Sequence, residues 1–146
     1  MTTGDRIPDH NNVARYCKPT QIGANGDVQA TAFMLRTDRR DEVSLSVNWL
    51  EFLNGASRRD QIETLRETYR AKGLSVSRKA KIAVLNVGEV CQKARMESLD
   101  SRNLSVLHDP TPPDPSHSGI YNLMPDNELI AELIVEIVRE THPARV

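Results

Sequence analysis

The sequence predicts an α+β protein, a small and mostly antiparallel sheet of about four strands packed against two or three helices, the last a C-terminal amphipathic helix. Three observations carry this prediction. Residues 43–50 (VSLSVNWL) alternate strictly: Val43, Leu45, Val47 and Trp49 are apolar, Ser44, Ser46 and Asn48 polar, the period-two pattern of a half-buried strand. Behind Pro125 and Asp126, residues Leu129, Ile130, Leu133, Ile134, Ile137 and Val138 recur at helical spacing on one broad face. The strand-like runs come in groups, which favours α+β over a strictly alternating α/β unit. In the competing α/β reading, the helix at 61–72 is a right-handed crossover between two apolar strands.

Taken in order, residues 1–27 are rich in Gly, Asn, Asp and Pro and read as an irregular segment with a short turn near 12–16. Residues 28–36 (VQATAFMLR) are β-prone, and the polar run 37–42 (TDRRDE) joins them to 43–50 as an antiparallel hairpin. After Asn54-Gly55, Ser57 offers an N-cap with Asp60 three residues on. Ile62, Leu65 and Tyr69 then mark one narrow stripe through 61–72, with Gly73 as C-cap, and so a surface helix. Residues 81–87 (KIAVLNV) are apolar enough for a buried strand, 88–95 for a short helix directing Val90, Cys91 and Ala94 inward, and 104–107 for a fourth short strand. Asp126 caps the final helix, which runs to the His142-Pro143 stop. Residues 28–141 thus form one globular domain, preceded by the irregular segment 1–27 and followed by a tail at 142–146. Trp49 and the 129–138 face are expected in its core.

A chain of 146 residues can bury roughly two thirds of its unfolded surface. Net charge is −1, so the whole molecule has no electrostatic bias toward nucleic acid or an acidic membrane. The first residues carry Asp5, Pro8 and Asp9 where a signal peptide needs an apolar stretch, and no run is long enough to span a bilayer. With only Cys17 and Cys91, neither a disulfide framework nor a cysteine-rich metal site is possible, and the expected location is the reduced cytoplasm. Walker, dinucleotide-binding, HExxH, GxSxG and kinase signatures are all missing.

The densest chemistry lies in NLSVLHDPTPPDPSHSGI, residues 103–120. Half of the eight prolines and two of the four histidines fall in this stretch. His108, Asp109, Asp114 and His117 combine two imidazoles with two carboxylates, ligand types suited to Zn, Mn or Fe, although the spacing matches no standard metal motif. Asp114-Pro115 also reads as a helix opening, Asp as N-cap and Pro at the first helical position, with an anion-binding helix end in prospect. A wholly structural alternative has the aspartates capping turns and the histidines bonding carbonyls around a rigid corner.

Residues 9–19 form a second concentration. His10 and Cys17 are a possible base and nucleophile, though Cys17 reads better as a small buried hydrophobe. Arg15 is a candidate oxyanion or phosphate clamp if this segment packs beside the proline loop. Centrally, Arg58, Arg59, Arg66, Arg70, Lys72, Arg78, Lys79 and Lys81 outnumber three carboxylates, for a local charge of +5. With Tyr69 as its single aromatic, this stripe reads first as a solvated face.

Three functional readings follow. The first is an accessory or interaction protein that binds a protein partner or small ligand through the 108–117 loop. The second is a small hydrolase acting on a phosphoester or nucleotide, with or without a metal. In it His117 and His108 serve as acid, base or ligands, Asp109 or Asp114 orients, and Arg15 clamps. The third is nucleic-acid binding through the basic stripe. An acidic terminal helix and a basic stripe on one molecule also permit self-association. The sequence leaves the cofactor unknown.

Overall fold

The computed structural model describes residues 4–35, 43–53, 55 and 57–145. Among them, seven strands make one antiparallel sheet: β1 (Asp5–Arg6), β2 (Asn12–Cys17), β3 (Ser44–Trp49), β4 (Lys81–Asn86), β5 (Ser105–His108), β6 (His117–Tyr121) and β7 (Glu140–Pro143), in the spatial order β1-β5-β6-β3-β2-β4-β7. Three helices accompany it: α1 (Arg58–Ala71), α2 (Val87–Glu97) and α3 (Asn127–Val135). The α+β class holds, with more strands than the four expected.

Every neighbouring pair is antiparallel, yet each helix joins two strands that run the same way. β3–α1–β4 is such a unit, with β2 inserted between its two strands. The helix at 61–72 is therefore a crossover, as the α/β reading has it, but in a sheet without parallel neighbours. α1 covers one face of the sheet, α2 and α3 the other. From the strand order and directions, all three crossovers share one hand, as the uniform twist of a sheet requires.

Three sequence expectations need correction. Residues 12–17 lie outside the reading as irregular structure: they are β2, a central strand paired along its length with β4. With both faces of β2 covered, Val13 and Ala14 are buried side by side, so the alternation that marks a half-exposed strand is missing. Residues 28–35, the described part of that expected strand, are not the partner of β3, which pairs with β2 and β6. Val28 makes one bridge to Ile22, and Ala30–Phe33 is a 3-10 turn that seats Ala32, Phe33 and Leu35 in the core. The hairpin loop expected at 37–42 lies outside the described residues.

The C-terminal amphipathic helix is the third correction. α3 ends at Val135, and the chain returns as β7 along β4, with His142 opposite Ile82. Val135, Ile137, Val138 and Thr141 are β-branched, which weakens a helix and suits a strand, and an edge position tolerates Pro143. Asp126 is also not a side-chain cap. It is left-handed (φ 64°), and its carboxylate lies 3.6 Å from the buried Arg102. Arg102 holds the preceding turn by donating to the carbonyls of Asn122 and Pro125.

Ser57 caps α1 by accepting from the Asp60 N–H, and Gly73 follows the helix at φ +74°, both as predicted. α1 does more than lie on the surface. Ile62, Leu65 and Tyr69 meet Ala14, Ile82, Val84 and Leu50 in a second core. The Tyr69 hydroxyl is buried there without a hydrogen-bond partner, and burial pushes its ionisation well above the usual phenol range. Tyr69→Phe removes that stranded group while keeping the ring against Tyr16. Thermal unfolding is expected to shift up by ~3 °C, about 1 kcal/mol; a decrease would mean that the hydroxyl is satisfied. No helix among the described residues is long and apolar enough to cross a membrane.

Candidate functional site

Among the described residues, the face of the sheet under α1 is only half covered. The second core draws on β2 and β4 but on no residue of β3, β5 or β6. Strand register places Ser44, Ser46 and Asn48 of β3 and His117, Gly119 and Tyr121 of β6 on that same face. Next to the helix, therefore, lies a shelf of small and polar side chains. The alternation in residues 43–50 foretells it, because its polar half points to this face.

On the shelf, His117 stands between a hydroxyl and a carbonyl. Its Nδ1 is 2.9 Å from the main-chain oxygen of Asp109, and its Nε2 is 3.2 Å from Ser46 Oγ. A carbonyl can only accept, so Nδ1 carries the proton in the neutral ring. Nε2 is then the basic nitrogen, and the Ser46 hydroxyl donates to it. An Asp109 carboxylate oxygen lies 3.8 Å from Nδ1. Ser46 is exposed and His117 half-buried, so the pair is open to solvent from one side. Opposite Ser46, Gly119 keeps the shelf low: a methyl group there would stand 2.7 Å from Ser44 Oγ and 3.0 Å from Tyr121 Cε1.

Behind the shelf, Asp114 is a fully buried hub. It accepts from Asn48 Nδ2 at 2.8 Å and pairs with Lys72 Nζ at 2.9 Å. Asn48 Nδ2 also lies 2.8 Å from Ser116 Oγ, and the Ser116 carbonyl accepts from the Trp49 N–H. The predicted helix opening at Asp114-Pro115 does not exist. Asp114 bridges back to Thr111, its carbonyl accepts from the His117 N–H, and β6 begins at His117. The prolines shape a tight corner that delivers His117 to the shelf.

The other predicted residues are dispersed. His108 pairs with Ser118, the neighbour of His117, so the two imidazoles lie on opposite faces of the sheet. His108 donates from Nε2 to the Pro115 carbonyl at 2.8 Å, and its ring packs against Trp49 and Phe52. A site using both histidines together is thereby ruled out by alternation along β5 and β6. Residues 12–17 do not lie against 117–121, because β3 stands between β2 and β6. His10 is exposed in the turn before β2. Arg15 braces β3 from the far side, donating to the carbonyls of Ala32 and Ser46, and is no clamp on the shelf. Among the described residues, no three His, Cys, Asp or Glu side chains are gathered as a metal site, and His108, Asp109, Asp114 and His117 do not converge.

Cys17 is buried, and that burial pushes its thiol up to about 11. Such a thiol stays protonated at neutral pH, which removes the His10–Cys17 reading. Native protein at pH 8 is expected to leave Cys17 unmodified by iodoacetamide and to be alkylated there once denatured, as peptide mass mapping would register. In the basic stripe, four of the eight cations have internal partners: Arg58 with Glu140, Arg66 with Glu63, Lys72 with Asp114, and Lys81 with the Gly26 carbonyl. Arg59, Arg70, Arg78 and Lys79 are exposed.

Sequence reasoning missed Ser46 and Asn48, and placed Lys72 in the basic stripe rather than against Asp114. The available signal was the polar half of β3, but nothing local ties residue 46 to 117. Fold and shelf define an antiparallel α+β protein with a serine–histidine pair on an open sheet face. No family model matches the chain, and no curated protein or solved structure is similar to it.

Proposed function

We propose that the chain is a small hydrolase that cleaves an acyl ester, with Ser46 as nucleophile and His117 as general base and acid. The observation that carries this reading is the Ser46 Oγ···Nε2 contact on a histidine whose other nitrogen is fixed by the Asp109 carbonyl. In the first half-reaction Ser46 Oγ bonds to the ester carbonyl carbon as Nε2 takes its proton. Collapse of the adduct breaks the bond to the leaving oxygen, which receives that proton from Nε2. In the second half, water attacks the acyl-serine, gives a proton to Nε2, and the acid departs as the proton returns to Ser46.

An acyl ester suits the shelf better than the phosphoester of the sequence reading. Phosphoryl groups need concentrated positive charge. Of the described cations considered for the site, Lys72 is committed to Asp114 and Arg15 to two carbonyls behind β3. Recognition through the proline loop has weaker support, since His108 is tied to the Pro115 carbonyl and Asp114 is buried. Nucleic-acid binding rests on the four exposed cations alone.

The test is labelling with a fluorophosphonate probe and an assay with p-nitrophenyl acetate. A covalent adduct is expected at Ser46 by mass spectrometry, absent from Ser46→Ala. A protein that takes up no probe, or takes it up elsewhere, would refute the reading.

A further inference from the structure

The apolar face of α3 is wider than the core beneath it. Ile130, Ala131 and Ile134 are buried, whereas Leu129, one residue before Ile130, remains 48% exposed. Leu129 and Leu133, one turn apart, form an extra stripe along the helix. Leu99, 90% exposed, stands beside it beyond the end of α2. Together with Ile130 they floor a groove of about 380 Å³, the small end of the range for binding pockets.

The rim has one sign of charge. Glu97, Asp100, Asp126, Glu132 and Glu136 line the groove, and no Lys or Arg does. Asp100 and Asp126 share Arg102, and Glu97 and Glu136 share Lys93. Glu132 has no ion pair among the described residues. Five carboxylates against two cations leave the rim negative around an exposed apolar floor. This field repels nucleic acid and anionic lipid. It suits a segment that brings large apolar side chains flanked by Lys or Arg.

We propose that this groove docks a basic amphipathic helix of a partner protein, its apolar residues on Leu99, Leu129 and Leu133 and its cations on the acidic rim. The surface is separate from the serine–histidine shelf: the groove belongs to α2 and α3, on the other face of the sheet. The exposed cations of the basic stripe, Arg59, Arg70, Arg78 and Lys79, lie on α1 and the loop after it and flank no matching apolar stripe, so a second copy docked through that stripe is the weaker occupant.

The experiment uses the full chain and a fluorescent helical peptide with leucines at i, i+3, i+4 and i+7 and lysines elsewhere, followed by anisotropy. Saturable binding is expected, weakened about tenfold by Leu129→Arg and by Glu132→Lys, and by added salt. A control peptide with glutamine for each leucine should not bind. Both substitutions are at exposed positions, and an unchanged melting temperature would confirm that the fold is kept. No binding, or equal binding of the glutamine peptide, would overturn the proposal. So would insensitivity to Leu129→Arg. Sedimentation showing a dimer that Leu129→Arg dissolves would give the groove to a second copy and overturn it as well.

Discussion

His117→Ala is expected to lower ester turnover by about 10²–10⁴-fold, the range for a positioned acid–base group. Ser46→Ala should have a loss of similar size. The double variant should be little worse than either, because the two side chains act on one step. The Asp109 side chain should matter far less. Its main-chain carbonyl, 2.9 Å from Nδ1, already sets the tautomer, while its carboxylate is 3.8 Å away. Asp109→Ala is therefore expected to cost less than about tenfold, unlike the aspartate of a triad that alone orients its histidine. Steady-state kinetics with p-nitrophenyl acetate read all four, with melting curves to show that each variant is folded. Turnover within tenfold of wild type in His117→Ala would sink the hydrolase reading.

What the sequence revealed followed local pattern. Strict alternation identified β3, a serine cap and an apolar stripe identified α1, and helical spacing identified α2. Each is written within one window of the chain. What stayed hidden was long-range or two-sided. β2 has both faces covered and so lost its alternation. Residues 28–35 supply apolar side chains to the core around a 3-10 turn, which a count of β-prone residues cannot tell from a strand. Of the candidate site, His117 and Asp109 were legible because the proline corner advertised them. Ser46 was not, since its pairing with His117 depends on β6 choosing β3 as neighbour. His108 misled for the same reason: only eight residues separate it from His117, but strand alternation sends the two rings to opposite faces.

That dependence makes Asp114 a residue whose loss should damage the fold. Its carboxylate ties three separate segments: β3 through Asn48, the end of α1 through Lys72, and its own corner through Ser116. Asp114→Ala leaves Asn48 with one of its two partners and Lys72 with none in the interior. Truncating one member of such a buried set costs about 3 kcal/mol, because the groups left behind stay desolvated. Lys72 softens this figure, since its side chain is about a third exposed and reaches water when released. A fall in melting temperature of roughly 10 °C is expected, together with a matching drop in the urea midpoint. Lys72→Met separates the contributions. If the charge pair dominates, it should approach the Asp114→Ala loss; if the Asn48 bond dominates, it should cost much less. Asp114→Ala that unfolds within about 1 kcal/mol of wild type would show that the proline corner holds β6 against β3 without this hub.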